Sequence, residues 1–179
     1  ELTSNDLDTF TLSAVTGDSI HLSLDSSQQT FLYVYNPDGS LLGTSYNGFY
    51  ANNVAQGGVY RIVVKGRYAF TVDDYEFHYA NGSTANELGV IESGSTVEGS
   101  FTSNDLDSYQ FSASAGGSFV LTTTGDTQTY MSVYQPNGVL LGNGYNGFTG
   151  LSLVAGGTYR VVIQSRYAFI VGDYAVSLN

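Results

Sequence analysis

Polar and apolar residues alternate along this chain in short runs. In residues 8–14, Phe10, Leu12 and Ala14 fall on one face, the period of a half-buried β-strand. Ile20, Leu22 and Leu24 mark a second such run, and Tyr60, Ile62 and Val64 alternate against Arg61, Val63 and Lys65. Residues 75–79 make the last strand of the series. Residues 31–35 are apolar at every position, which predicts a strand buried on both sides, or buried on one and carrying an aromatic site on the other. Turn chemistry separates the runs. Thr16-Gly17-Asp18 and Gly57-Gly58 are turns, and in Asn36-Pro37-Asp38-Gly39 the proline fixes φ while the glycine takes positive φ. A short strand at Leu41-Leu42 follows. No segment keeps a helical period.

The whole pattern occurs twice. Shifted by 99 positions, Thr3-Ser4-Asn5-Asp6-Leu7-Asp8 becomes Thr102-Ser103-Asn104-Asp105-Leu106-Asp107. Tyr46-Asn47-Gly48-Phe49 becomes Tyr145-Asn146-Gly147-Phe148, and Arg67-Tyr68-Ala69-Phe70 becomes Arg166-Tyr167-Ala168-Phe169. The register holds from Leu2 to Tyr79 without insertion or deletion, and nearly half of the aligned positions are identical. A fixed-period repeat outranks the length prior for one domain, and two repeats are too few for a solenoid, so each copy closes on itself. The expected architecture is all-β: two tandem antiparallel jelly-roll-like β-sandwiches, each of about seven or eight short strands. The expected boundaries are residues 1–80 for the first, 81–100 for a linker whose second half can form a leading strand, and 101–179 for the second. Glu1 opens directly onto the repeat, as in a piece of a longer chain.

Composition narrows the function. The net charge is −11, and the five cationic residues are Arg61, Lys65, Arg67, Arg160 and Arg166. That balance argues against nucleic acid, which is bound through Lys and Arg, and against a non-specific hold on anionic membrane. There is no cysteine, which excludes disulfides, thiolate nucleophiles and cysteine-ligated zinc. No apolar run approaches a membrane span. High Tyr, Thr, Ser and Gly with few charges suits a secreted all-β protein.

Residues 5–14, with Asp-Leu-Asp-Thr-Phe, followed by Thr16-Gly17-Asp18-Ser19-Ile20, resemble the opening of the bacterial pre-peptidase C-terminal domain family. Leu32-Tyr33-Val34-Tyr35-Asn36-Pro37-Asp38-Gly39 is similar to its central strand and turn. Residues 58–64 resemble its penultimate strand, and residues 74–77 its closing one. The second copy matches at the same offsets. The resemblance implies a jelly-roll-like sandwich appended to secreted bacterial hydrolases, similar to collagenase collagen-binding domains, some of which bind calcium. It implies a non-catalytic module that attaches to polymers or assists secretion and stability. Where that pattern leads one to expect an ordinary loop, both copies carry Tyr-Asn-Gly-Phe and Arg-Tyr-Ala-Phe.

Those two tetrapeptides carry the candidate ligand chemistry: Tyr46, Asn47, Arg67 and Tyr68, with Tyr145, Asn146, Arg166 and Tyr167. A sugar ring offers an apolar C–H face and a rim of hydroxyls. Tyr meets the face and keeps a hydroxyl, Asn gives a donor and an acceptor, and Arg gives a rigid fork that also suits a uronate carboxylate. The competing structural roles place Phe49 and Phe70 in the core and pair Arg67 with Asp74 and Arg166 with Asp173. Asp6 and Asp8, with Asp105 and Asp107, are the candidate metal ligands: two apart on a strand they share a face, and with Asn5 they could offer calcium oxygen ligands. Their structural alternative is hydrogen bonding at the start of a strand, or pairing with Arg61. His21 and His78 become Val120 and Ser177 in the second copy and read as ordinary strand residues.

The expected function is a non-catalytic pair of carbohydrate-binding modules of a secreted, monomeric bacterial protein. Its partner is a polysaccharide, acidic ones included, degraded by a catalytic domain of the same parent chain; no cofactor is required, with calcium an option. The rival is a structural or protein-binding accessory domain of a secreted protease or adhesin, which the lack of tryptophan favours.

Overall fold

The computed structural model describes residues 1–68, 73–83, 87–167 and 170–179. Ala69, Phe70, Ala168 and Phe169 of the repeated tetrapeptides, and part of the expected linker, lie outside the described residues. The chain forms two compact units, Glu1–Tyr79 and Ala80–Asn179. The described residues are all-β, with every strand pair of the ladders antiparallel.

Unit 1 contains β1 (Leu7–Ala14), β2 (Ile20–Ser26), β3 (Thr30–Tyr35), β4 (Leu41–Tyr46), β5 (Gly48–Ala51), β6 (Gly58–Gly66) and β7 (Tyr75–Asn81), whose last two residues pass into unit 2. One sheet has the order β1-β6-β3-β4 and the other β5-β2-β7. Unit 2 contains β8 (Thr96–Phe101), β9 (Asp107–Ala113), β10 (Phe119–Gly125), β11 (Thr129–Tyr134), β12 (Leu140–Tyr145), β13 (Gly147–Gly150), β14 (Gly157–Ser165) and β15 (Gly172–Leu178). Its sheets run β8-β15-β10-β13 and β9-β14-β11-β12. Counted within the unit, these are first-eighth-third-sixth and second-seventh-fourth-fifth, the order of a jelly roll.

The leading strand is therefore real in unit 2. It sits at Thr96–Phe101, and the segment before it belongs to unit 2 rather than to a free linker. In unit 1 the same place is held by a single bridge, Leu2 to Asp73, in the register that joins Phe101 to Gly172. β15 is covered by β8, and at the 99-residue offset the counterparts of residues 96–99 fall before Glu1.

The alternation read from sequence lines each core. In unit 1, Leu12, Ile20, Leu22, Leu24, Leu32, Val34, Tyr60, Ile62 and Val64 are buried together, with Phe10 and Phe49 packed against them. Phe49 is thus a core residue, and so is its counterpart Phe148. Each ring lies in a slot left by a glycine: a Cβ on Gly43 would come within 2.8 Å of Phe49, and one on Gly142 within 2.6 Å of Phe148. The chain then crosses between sheets within one residue, from β4 to β5 through Asn47 and from β12 to β13 through Asn146, at φ 54° and 56°. Asn tolerates this left-handed conformation better than other non-glycine residues.

The two units differ on the outer face of the β3 sheet and its counterpart. In unit 1, Phe31, Tyr33 and Tyr35 alternate with buried Thr30, Leu32 and Val34 and remain partly exposed. In unit 2, residues 80–83 cross that face and residues 87–91 line the free edge of β9. Ala80 packs on Leu106, Tyr134 and Val162. Gly82 lies so close that a Cβ would meet the Tyr134 ring at 2.7 Å. Glu87 and Leu88 donate backbone N–H to the hydroxyl and carbonyl of Ser108, each at 2.9 Å, and Ile91 donates to the Gln110 carbonyl at 2.8 Å. Under this strap Tyr134 is 0 % exposed and Ser132 1 %. The two readings of an all-apolar strand are each realised once: one-sided burial in unit 1, two-sided in unit 2.

Candidate functional site

Tyr46 ends β4 and Arg67 follows β6 directly, so the two strands flanking β3 bring them to the same end of one sheet. The Arg67 guanidinium lies over two rings, 5.3 Å from the centroid of Tyr46 and 5.3 Å from that of Tyr68. Unit 2 repeats the arrangement: Arg166 is 4.9 Å from Tyr145 and 5.3 Å from Tyr167. The four tyrosines are exposed, Tyr68 by 63 % and Tyr46 by 49 %. Each contact is a cation–π pair, of about 0.5–1 kcal/mol at an exposed position.

Neither arginine is held by the expected aspartate. Arg67 donates through its backbone N–H to the Gln29 carbonyl at 2.9 Å and through its guanidinium to the Gln29 side chain. Arg166 makes the same pair of contacts with Gln128, the backbone one at 2.8 Å. A neutral glutamine leaves the full positive charge of the guanidinium available, which an aspartate would cancel. Gln29 and Gln128 occupy equivalent repeat positions, a signal that sequence reading passed over because Gln has no strong motif.

Asn47 and Asn146 have a fold role. The Asn47 Oδ1 accepts from the Thr30 N–H at 3.0 Å and from its hydroxyl at 3.1 Å, while its carbonyl accepts from Leu24 N–H at 2.8 Å. Asn146 binds Thr129 and Thr123 in the same way, at 2.9 Å each. Their repetition follows from the crossing between sheets, and they place the tyrosine before them.

The aspartates of the two copies do not converge. Asp6 precedes β1 and closes a turn: its carboxylate accepts from the Thr3 hydroxyl at 3.2 Å and the Leu7 N–H at 2.9 Å. The backbone N–H groups of Leu7 and Thr3 hold its carboxyl below the usual range. Asp105 repeats the turn with Thr102 and Leu106. Asp8 instead accepts from the Tyr75 hydroxyl at 2.6 Å, and Asp107 from the Tyr174 hydroxyl at 2.7 Å. The shared face expected of Asp6 and Asp8 is absent because Asp6 lies before the strand. Among the described residues, no group of three or more His, Cys, Asp or Glu could hold a metal ion. Arg61, the other expected aspartate partner, lies 4.5 Å from the centroid of the Tyr35 ring.

The relief around the platform is shallow. A hollow of about 90 Å³ lies between the Thr3–Asp6 turn and the end of β6, lined in part by Lys65, Arg67 and Tyr68. A larger hollow of about 610 Å³ in unit 2 is bordered by Glu98, Asp126 and Asp173 and holds none of the tyrosine–arginine residues. It is wide open and acidic, and it lacks the mixed aromatic and cationic lining of the platform.

No protein-family model matches the chain, and no curated protein matches it. Among solved structures, the chain is similar to the CUB1-EGF-CUB2 domain of human MASP-1/3, at 10 % identity and a TM-score of 0.29, over 98 % of this chain and 94 % of that one.

Proposed function

We propose that the chain is a pair of non-catalytic carbohydrate-binding modules acting outside the cell, tethering a parent protein to a polysaccharide. The observation that carries this reading is the Tyr–Arg–Tyr ladder exposed at the same place in both units, with each arginine held by a glutamine. Exposed tyrosines supply flat apolar area with a hydroxyl at the rim, and the guanidinium adds a fixed fork of donors. A shallow platform suits the side of a polymer better than it suits a small molecule, which needs a cleft. Two weak platforms on one chain raise affinity through effective concentration when one polymer reaches both. The resemblance to the pre-peptidase C-terminal family supports an accessory role beside a secreted hydrolase.

Titration calorimetry against neutral and acidic polysaccharides tests the reading. Heat of binding is expected with at least one polymer, and it is lost in Tyr46→Ala with Tyr145→Ala. Absence of heat with every polymer, or binding that survives the double substitution, overturns it in favour of a structural or protein-binding module.

A further inference from the structure

The outer face of the β1-β6-β3-β4 sheet collects more than the platform at its end. Cross-strand register sets Leu7, Lys65, Phe31 and Tyr46 in one row, Thr9, Val63, Tyr33 and Thr44 in the next, and Thr11, Arg61, Tyr35 and Leu41 in the third. No position in these rows is acidic, in a chain with 16 Asp and Glu. Three of its five cations, Arg61, Lys65 and Arg67, lie on this face or at its end. Ring contacts run inward from Arg67, which lies over Tyr46; Tyr46 and Phe31 are 4.2 Å apart between ring centroids, Phe31 and Tyr33 5.9 Å, and Arg61 lies over Tyr35 in the third row. Arg61 and Lys65 are four residues apart on β6, about 13 Å of extended strand, and Arg67 follows just past its end.

The equivalent face of unit 2 is closed by its own strap. The residues there have changed with it: Tyr33 becomes Ser132, which is buried, and Lys65 becomes Gln164.

We propose that this face of unit 1 is the main binding surface for a uronate polysaccharide, lying along β6 with its carboxylates on Arg61, Lys65 and Arg67 and its rings on Phe31, Tyr33 and Tyr46. The inference rests on the carbohydrate-binding reading and adds the charge of the polymer and the inequality of the two units. Charge complementarity selects the occupant: a carboxylate matches the planar guanidinium fork, and cations spaced along a strand meet a repeating anion better than a single one. Asp6 lines the same hollow as Lys65 and Arg67 and opposes an anion at that end of the path, while acidic residues beyond a Debye length, about 8 Å at physiological ionic strength, are screened.

The test uses the full chain with polygalacturonate and a neutral dextran of similar length, at physiological ionic strength. Polygalacturonate is expected to bind more tightly. Arg61→Gln with Lys65→Gln should weaken it by about tenfold or more, the scale of losing charge-assisted contacts, without changing dextran binding. The Gln at position 65 reproduces Gln164, which unit 2 already accommodates. Arg160→Gln, under the strap, should leave polygalacturonate binding unchanged; if it melts early, Arg166→Gln replaces it and should cost less than the unit 1 pair. Equal binding of both polymers, or indifference to the unit 1 substitutions, overturns the inference and leaves the broader carbohydrate reading standing. Failure of both polymers to bind overturns the uronate inference, whereas the broader carbohydrate reading falls only if the full panel of neutral and acidic polysaccharides also gives no heat. Polyglutamate or a single-stranded nucleic acid bound as tightly as polygalacturonate also overturns the uronate inference, because the face would then read charge without sugar.

Discussion

Units 1 and 2 share nearly half their aligned residues, yet they have spent the same sandwich on different interiors and different faces. Unit 2 buries one more hydroxyl: Tyr109 and Tyr174 lie 2.9 Å apart, oxygen to oxygen, and Tyr174 donates to Asp107. In unit 1 the first of these tyrosines is Phe10, set edge-on to Tyr75, which still donates to Asp8. Unit 2 covers an outer face with residues 80–83 and pairs β15 with β8; at the 99-residue offset the counterparts of residues 80–83 and of most of β8 fall before Glu1. On the corresponding face unit 1 carries aromatics and cations where unit 2 has Ser132 and Gln164.

Three experiments sharpen or break this contrast. Acid has the largest expected effect. His21 is buried against Tyr50, ring centroids 4.3 Å apart, and burial pushes its imidazole down to about 3. Native unit 1 therefore holds it neutral, while the unfolded chain takes up a proton below about 6.5. The stability of unit 1 is full above that pH and falls as pH drops, by about 1.4 kcal/mol per unit, or about 3 kcal/mol at pH 4. Unit 2 carries Val120 there and lacks this loss. Hydrogen exchange read by mass spectrometry should show protection falling in β2 and β5 on acidification while β10 and β13 change less, and His21→Val should erase the difference. Parallel loss in both units would break the comparison.

Tyr174→Phe comes next. It removes a donor from nearly buried Asp107 and a partner from Tyr109, at a cost of about 2 kcal/mol. Tyr75→Phe removes one bond to the half-buried Asp8 and should cost about 1 kcal/mol. Denaturant melts of the two variants rank them, and equal costs would show that the added hydroxyl contributes nothing. The most local effect is expected from Gly82→Ala. A methyl group there meets the Gly138 carbonyl oxygen, a backbone atom that cannot yield as a side chain can, as well as the Tyr134 ring, and should displace the strap at about 1–3 kcal/mol, raising exchange at Leu88 and Ile91 and leaving unit 1 unchanged.

Much of the fold was legible because strand alternation and the repeat constrain each other. Tyr60, Ile62 and Val64 are inside, and Arg61 and Lys65 outside, as their period requires. The platform was legible for a different reason: Tyr46 and Tyr68 recur where no turn or core position demands them. What escaped were contacts set by tertiary geometry. Gln29 reaches Arg67 across 38 residues, and nothing local distinguishes it from Asp74, the nearer charge. The fold role of Asn47 has no local mark, because a left-handed crossing between sheets cannot be seen before the sheets are known. The strap resembles a linker in sequence, because small residues such as Ala80 and Gly82 mark both flexible chain and close packing. The aromatic face was half-visible in residues 31–35, which left open whether the second side was covered.

The covering of β15 by β8 sets how unit 2 meets other strands. Unpaired N–H and C=O groups in a row at a sheet edge are a template for any extended segment that comes alongside, and short edges and charged side chains are common deterrents. β8 takes up that side of β15 with the unit's own chain, so the edge presented there is a strand of six residues with Glu98 and Gly99 at its middle. A charge and a glycine on so short an edge make it a poor partner for a second chain.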